Sequence, residues 1–488
     1  MSDTSDTLVR TFGLLSLPNE ILLVVFSHFE DPYPLYPLST LCRRLHFLAL
    51  PIYLTRACVY EALPDSTSCD ITIGAEHTGT LAALQTSLFL GTVQSLCCTF
   101  SDSISQFEDL ARFHRVCSIL KSVESTTLQF SPASFNNHAE AMRTTYSFSI
   151  VQTLNTVLEK SCATLTVSAS PTDSAAISSP RVSRRHLVRA PGGRRAQSTA
   201  IVTSSASLSP AALRQKKLSK FKMHSEVLFS PHLRAWTIDV LNSFPLVFLS
   251  IDIPTVPARV LDAILSLTEI ATLRHFALSN CIIKPTRMHI FLSRHPGITC
   301  LHFEKLLVPS NQESLPRDHL PQLASLSAEA PQVAYLLHAM ESTAALRAVR
   351  LLSHMTRLDL MFTDAALGPV ASRLAPTTVS LTLVLRVPDD LPHIAIDPSL
   401  RFGEGTALQF VTKLELVFGY ESTSIAPAKL ADYIVKWSAP FPALRTVELV
   451  GLKERYEGVD LVQAVRTFSS TVETLVVNGR ETDLTEPG

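Results

Sequence analysis

Four histidines crowd one part of the chain: His275, His289, His295 and His302. Imidazoles can ligate zinc or move protons, but ligands carried on one helix need a spacing of three or four residues to share a face. These spacings do not repeat that way and no acid cluster accompanies them, so satisfied or exposed histidines are the expected reading. The nine cysteines, Cys42, Cys58, Cys69, Cys97, Cys98, Cys117, Cys162, Cys281 and Cys300, are odd in number and contain no C-x-x-C pair. That is neither a disulfide framework nor a zinc pattern, and reduced thiols in a cytoplasmic or nuclear protein are expected. Asp389-Asp390 is an acid pair before a proline, with no partner in view for general acid–base work. Phosphate-binding, zinc-protease and serine-hydrolase motifs do not occur, and 15 glycines leave little material for phosphate-cradling loops. The sequence points to no catalytic, cofactor or metal site.

Side chains that bind must be held by something. The chain has 488 residues, 46% of them hydrophobic and 17% charged, a net charge of -1 and a mean hydropathy of +0.22. It is too apolar to be disordered as a whole and too neutral to work by bulk charge on nucleic acid or anionic lipid. No apolar run reaches membrane-spanning length, and the opening MSDTSDTLVR carries acids where a signal peptide has bases.

Residues 14–55 form a first segment. A helix is predicted to start near Pro18, with Glu20 in its first turn and Ile21, Leu22, Val25, Phe26 and Phe29 on an apolar face. Pro32 and Pro34 break it. A second stretch carries Leu38, Leu41, Cys42, Leu45, Leu48 and Ala49, with Arg43 and Arg44 expected on the side away from the core and Pro51 expected to end or bend it. The apolar surface exceeds what so small a unit can bury. It must dock on the rest of the chain or on a partner.

Residues 56–170 show short strand-like segments, such as Thr127–Phe130 and Thr164–Val167, between helical ones. Residues 171–226 are rich in Ser, Ala, Pro and Arg, with no acid between Asp173 and Glu226, and are expected to be a disordered basic insertion. Its Arg214-Gln-Lys216-Lys217-Leu-Ser-Lys220-Phe-Lys222 run fits a nuclear import signal, non-specific nucleic-acid binding or a plain solvated linker; with Phe221 the one aromatic there, nucleic acid is the less expected partner.

In residues 227–480 an apolar-x-apolar pair recurs: Leu249/Ile251, Phe276/Leu278, Leu301/Phe303, Leu358/Leu360, Leu381/Leu383, Leu414/Leu416, Val447/Leu449 and Leu475/Val477. The gap from Phe303 to Leu360 has room for an extra unit around Leu320, Leu323 and Leu326. Leu273-x-x-Phe276-x-Leu278-x-x-Cys281-x-Ile283 fits the leucine-rich-repeat consensus, and helical stretches lie between pairs. The expected fold class is α/β: a short helical module, then an irregular leucine-rich-repeat-like solenoid, with an ordinary α/β domain of short buried strands as the alternative. Residues 1–13 and 481–488 are expected to be flexible ends. Outward positions of the repeats, by alternation, include Arg274, His275, Ala277, His302, Asp359, Glu415 and Glu448.

Leu17-Pro18-Asn19-Glu20-Ile21-Leu22 with Val25-Phe26-Ser27-x-Phe29, followed by Leu38-x-x-Leu41-Cys42-Arg43-Arg44-Leu45-His46-x-Leu48-Ala49, resembles an F-box. Leu41 stands for the family's usual valine and Leu45 for its usual tryptophan. An F-box ahead of an irregular leucine-rich array also resembles many F-box proteins of mushroom-forming fungi. The resemblance implies a non-catalytic substrate receptor of a cullin-RING ubiquitin ligase, without cofactor, held by a Skp-type adaptor and through it by a cullin, and binding a protein substrate of unknown identity. It places Leu17, Pro18, Ile21, Leu22, Phe26, Leu41, Cys42, Arg43 and Leu45 at the adaptor. A scaffold working outside a ligase, or a nucleic-acid-binding protein, are the other classes.

Overall fold

A computed structural model describes residues 14–57, 59–62, 68–75, 80–100, 106–131, 140–169, 207–254, 256–305, 320–340, 343–354, 357–368, 374, 379–387, 407–418, 427–452, 459–468 and 472–484. The expectations for residues 1–13, for 171–206 and for Asp389-Asp390 lie outside these. The chain divides into two compact units, Met1–Phe244 and Pro245–Gly488.

The first unit opens with a 3-10 turn (Leu14–Ser16) and three helices, α1 (Asn19–Ser27), α2 (Leu35–Leu41) and α3 (Arg43–Arg56). The helix predicted at Pro18 starts one residue later, with Pro18 as its N-cap. Cys42, in extended backbone, separates α2 from α3. Pro51 does not end α3, which runs through it to Arg56; its missing N–H falls opposite Phe47, on the exposed side. Then come β1 (Tyr60–Ala62), β2 (Ser68–Ile73), α4 (Leu81–Thr86), β3 (Thr92–Thr99), α5 (Gln106–Ile119), β4 (Ser122–Phe130), α6 (Glu140–Glu159), β5 (Thr164–Ala169), α7 (Pro210–Gln215), β6 (Lys220–His224) and α8 (Arg234–Ser243). β1 pairs antiparallel with β2, and β2 to β6 follow as parallel neighbours in chain order.

The second unit holds β7 (Phe248–Asp252), α9 (Ala258–Leu267), β8 (His275–Ser279), α10 (Pro285–Arg294), β9 (Cys300–Glu304), β10 (Ser325–Glu329), α11 (Ala330–Ala339), β11 (Ala348–His354), α12 (Arg357–Leu367), β12 (Ser380–Val387), β13 (Val411–Phe418), α13 (Pro427–Ser438), β14 (Thr446–Val450), α14 (Val459–Phe468), β15 (Thr474–Val477) and β16 (Arg480–Asp483). Its strands are again parallel neighbours in chain order, until β16 turns back antiparallel on β15 and orders the start of the expected flexible tail. Of the sixteen strands among the described residues, six belong to the first unit, after the helical module, and ten to the second, and within each unit they stack in chain order in a solenoid-like α/β arrangement.

One three-residue pattern explains each rung. An apolar residue three positions before the strand pair anchors it, and the pair itself points inward: Leu246/Leu249/Ile251, Leu273/Phe276/Leu278, Ile298/Leu301/Phe303, Leu323/Leu326/Ala328, Leu346/Val349/Leu351 and Leu444/Val447/Leu449 are all buried. Backbone amides lock the rungs at the same place. Arg274 and His275 both donate to the Val247 carbonyl, Thr299 and Cys300 to Arg274, Ala324 and Ser325 to Thr299.

Two expectations change. Leu358 and Leu360 lie on α12; the strand of that rung is β11, with Val349 and Leu351 inward. Asp359 is therefore on a helix, not on the strand face. The expected disordered insertion is ordered from Ser207 onward. Ser209 caps α7 by accepting from the Ala211 and Ala212 amides, Pro210 starts the helix, and Lys216 ends it in a left-handed turn (φ 44°). Leu218, Phe221 and Met223 then bury as one more rung, leaving Arg214, Lys216, Lys217 and Lys220 exposed.

The described cysteines are free thiols. Cys281 fills the repeat's Cys slot, with its Sγ donating to the Ser279 carbonyl at 3.0 Å, and burial pushes its pKa up to about 11. Cys162, buried at the anchor position before β5, donates its Sγ forward to the Thr164 carbonyl at 3.1 Å. Among the described residues no group of acids, His and Cys could hold a metal ion, and no helix is long and apolar enough to cross a membrane.

His295 is a buried core histidine. Its Nε2 accepts from the Ile270 amide at 2.9 Å, so Nδ1 carries the proton and donates to the Phe291 carbonyl at 2.6 Å. Burial holds its pKa below the usual 6.5. The unfolded chain then takes up this proton first as the pH falls, so the contribution is complete above about pH 6.5 and is lost below it. Scanning calorimetry is expected to show the second unit melting earlier at pH 5.5 than at 7.5, and His295→Gln to flatten that dependence.

Candidate functional site

Six successive positions of α1, Ile21 to Phe26, are apolar, yet a helix on a small module buries only one stripe. Leu22 and Phe26, one turn apart, take it, at 0% and 1% exposure. They pack in a core with Leu35, Leu45, Ala49, Leu50, Tyr53 and Leu54, where Tyr53 stacks on Tyr36 at 5.7 Å. Ile21, Leu23, Val24 and Val25 are left facing outward, and Leu14, Leu15, Leu41 and Phe47 are exposed too, Leu41 at 68%.

Two arginines hold this arrangement. Arg44 donates from Nη1 to the Leu15 carbonyl at 2.6 Å, from Nη2 to the Leu17 carbonyl, and from Nε to Asn19 Oδ1 at 2.8 Å. It draws the turn before α1 onto the start of α3, beside Leu41 and Arg43 in the chain. Arg56 at the other end of α3 donates to the carbonyls of Ser27 and Phe29, closing the C-terminus of α1. Arg44 is therefore not on the side away from the core. Arg43 is exposed, over the Phe47 ring at 5.8 Å.

The module is also fixed to the strands behind it. His46, 5% exposed, accepts the Leu88 amide on Nε2 at 3.1 Å and donates from Nδ1 to the Ser39 carbonyl. Phe89 lies against His46, Phe47 and Tyr60. The Val59 amide donates back to Leu54 and its carbonyl accepts from Thr72 in β2. One face of the module thus docks on the rest of the chain, while another apolar face stays open.

The family model described as F-box-like matches residues 14–58. The N-terminal module is an F-box-like domain. No curated protein matches the chain. Domains of this family bind Skp-type adaptors, which supports such an adaptor as the partner of this module.

The nine positions expected at the adaptor separate by geometry. Pro18, Ile21, Leu41 and Arg43 are exposed, and Leu17 and Cys42 are half-buried around the same junction. Leu22, Phe26 and Leu45 are not on the surface; they form the F-box core, so their part is to hold the helices together. Leu14, Leu15, Val24 and Val25, exposed as well, are not among the nine, although an unbroken apolar run on a short helix always leaves residues outside.

The strand face of the second unit is the other surface with organised chemistry. Arg350 donates to both carboxylate oxygens of Glu415, at 2.7 and 2.6 Å, across the intervening β12. Lys413 pairs with Glu448 at 2.7 Å, and Arg386 with Glu304. Glu304 also faces His302 and is held below the usual carboxylate range by that contact and by Arg386. Glu415 and Glu448, outward as expected, are thus already paired within the chain.

Arg44→Ala removes three hydrogen bonds from a half-buried guanidinium. We expect a loss of about 1–3 kcal/mol in urea unfolding. Arg44→Lys should not restore it, since one ammonium cannot fork to three acceptors, whereas Arg43→Ala should leave stability within about 0.5 kcal/mol.

Proposed function

We propose that this chain is the substrate-recognition subunit of an SCF-type ubiquitin ligase, working in the cytoplasm or nucleus. The F-box binds the Skp-type adaptor, the adaptor brings the cullin, and the leucine-rich-repeat-like strands bind a protein substrate. The chain performs no chemistry of its own; ubiquitin transfer belongs to other subunits. The observation that carries this reading is the two-sided F-box. Its inner face is consumed by His46, Phe89 and β2, while Ile21, Val24, Val25 and Leu41 remain outward. Capping the strand stack explains the inner face and leaves the outer one without purpose. Apolar helix faces on small modules serve partner binding.

The test is capture of the host's Skp-type adaptor and cullin by the full chain. Wild type is expected to hold both. Ile21→Glu with Val24→Glu changes only outward side chains, so it should leave the melting temperature unchanged and weaken adaptor binding at least about thirtyfold. Leu22→Ala should act differently, costing about 2–5 kcal/mol of stability through a core cavity. Folded wild type that captures no adaptor overturns the proposal.

A further inference from the structure

The second unit carries a cavity of about 200 Å³ at the C-terminal ends of β9 to β12. Among the residues lining it are Glu304, Lys305, Glu329, Leu352, Val384 and Arg386. Glu329, Leu352 and Val384 are register partners on β10, β11 and β12, so they form one row on the strand face. Arg386 and Glu304 pair over this row from β12 and β9, two long side chains meeting above the strands between them.

The charges are sorted by depth. The Arg386 side chain is 50% exposed and that of Glu304 is 18% exposed. Lys305 is exposed, while Glu329 is half-buried. The basic groups are thus at the rim and the acids lie deeper, above the Leu352 and Val384 floor. Glu329 stands at the N-cap of α11 without capping it, so its oxygens are not spent on the helix amides. Pro331 in that first turn has no N–H, which makes the same helix end a poor seat for an anion. Glu304 is held as a carboxylate at neutral pH by His302 and Arg386.

We propose that this cavity is a recognition pocket for a basic side chain, arginine or lysine, of the protein substrate, with the Arg386–Glu304 pair as its latch. The guest's charged head meets Glu329 and Glu304, its methylene stem lies on Leu352 and Val384, and Arg386 swings out to solvent. The proposal rests on the reading that the strand face selects a protein, and it adds the chemistry selected.

The probe is N-acetyl-arginine amide, titrated against the full chain by saturation-transfer NMR, with N-acetyl-norleucine amide and N-acetyl-phosphoserine amide as comparisons. The arginine probe should bind about tenfold more tightly than norleucine, and Glu329→Gln, which keeps size and shape, should remove that advantage. Arg386→Gln opens the latch and should tighten binding. Equal binding of arginine and norleucine, an unchanged affinity in Glu329→Gln, or preference for phosphoserine each overturn the pocket, and weaker binding in Arg386→Gln overturns the latch. Circular dichroism of each variant confirms that the fold is kept. Adaptor capture is measured on the same proteins: if it succeeds while the arginine probe fails, the pocket alone falls, and if it fails while the probe binds, the ligase reading alone falls.

Discussion

Each strand of the repeat region points apolar side chains inward, where its own helix meets them on one side, as Phe291 of α10 meets Phe276 at 4.6 Å, and the neighbouring strands flank them. Phe276 and Leu278 are buried because Leu249/Ile251 lie on one side in register and Leu301/Phe303 on the other. The backbone obeys the same rule, since the amides opening each strand donate to a carbonyl of the strand before. Stability is thus a nearest-neighbour property, and every rung depends on the next. Ends are the weak points of such a stack. In the second unit the last rung is closed by β16 folding back on β15; in the first unit the first parallel strand is covered by β1, against which α3 packs.

That covering shapes the F-box as much as any adaptor does. α3 presents His46 and Phe47 toward Phe89, and holds α1 by Arg44 and Arg56. With the inner sides of the helices spent on the chain itself, the surplus of apolar residues in α1 has nowhere to go but outward. The open apolar face of α1 and the attachment to the strands follow from the same composition.

The F-box was legible in the sequence because both halves of its pattern are local and keep their spacing. What the pattern did not tell is which apolar residues face in: Ile21 to Phe26 are apolar without interruption, so the expected face took in Ile21 and Val25, which are outward, with Leu22 and Phe26, which are buried. Most strand pairs were legible for the opposite reason: alternation is strict in β7, β8, β9 and β14. The misplaced pair at Leu358/Leu360 shows the limit, because an apolar-x-apolar triplet fits a helix as well as a strand. The three-position anchor does not separate them either, since Met355-x-x-Leu358-x-Leu360 carries it just as Leu346-x-x-Val349-x-Leu351 does. The same anchor, Leu218-x-x-Phe221-x-Met223, marks the ordered end of the basic stretch, hidden by the lysines between its apolar positions. Pairs such as Arg350–Glu415, 65 residues apart, leave no local trace.

The joint at His46 has a mechanical meaning. α3 ends at Arg56, and Val59, three residues on, is already tied both to Leu54 and to β2. The imidazole, bonded to α2 on one nitrogen and to the segment before β3 on the other, resists twisting about the remaining connection. A body gripped by the outer face of α1 would therefore carry the first strands round with it, as a handle turns a blade.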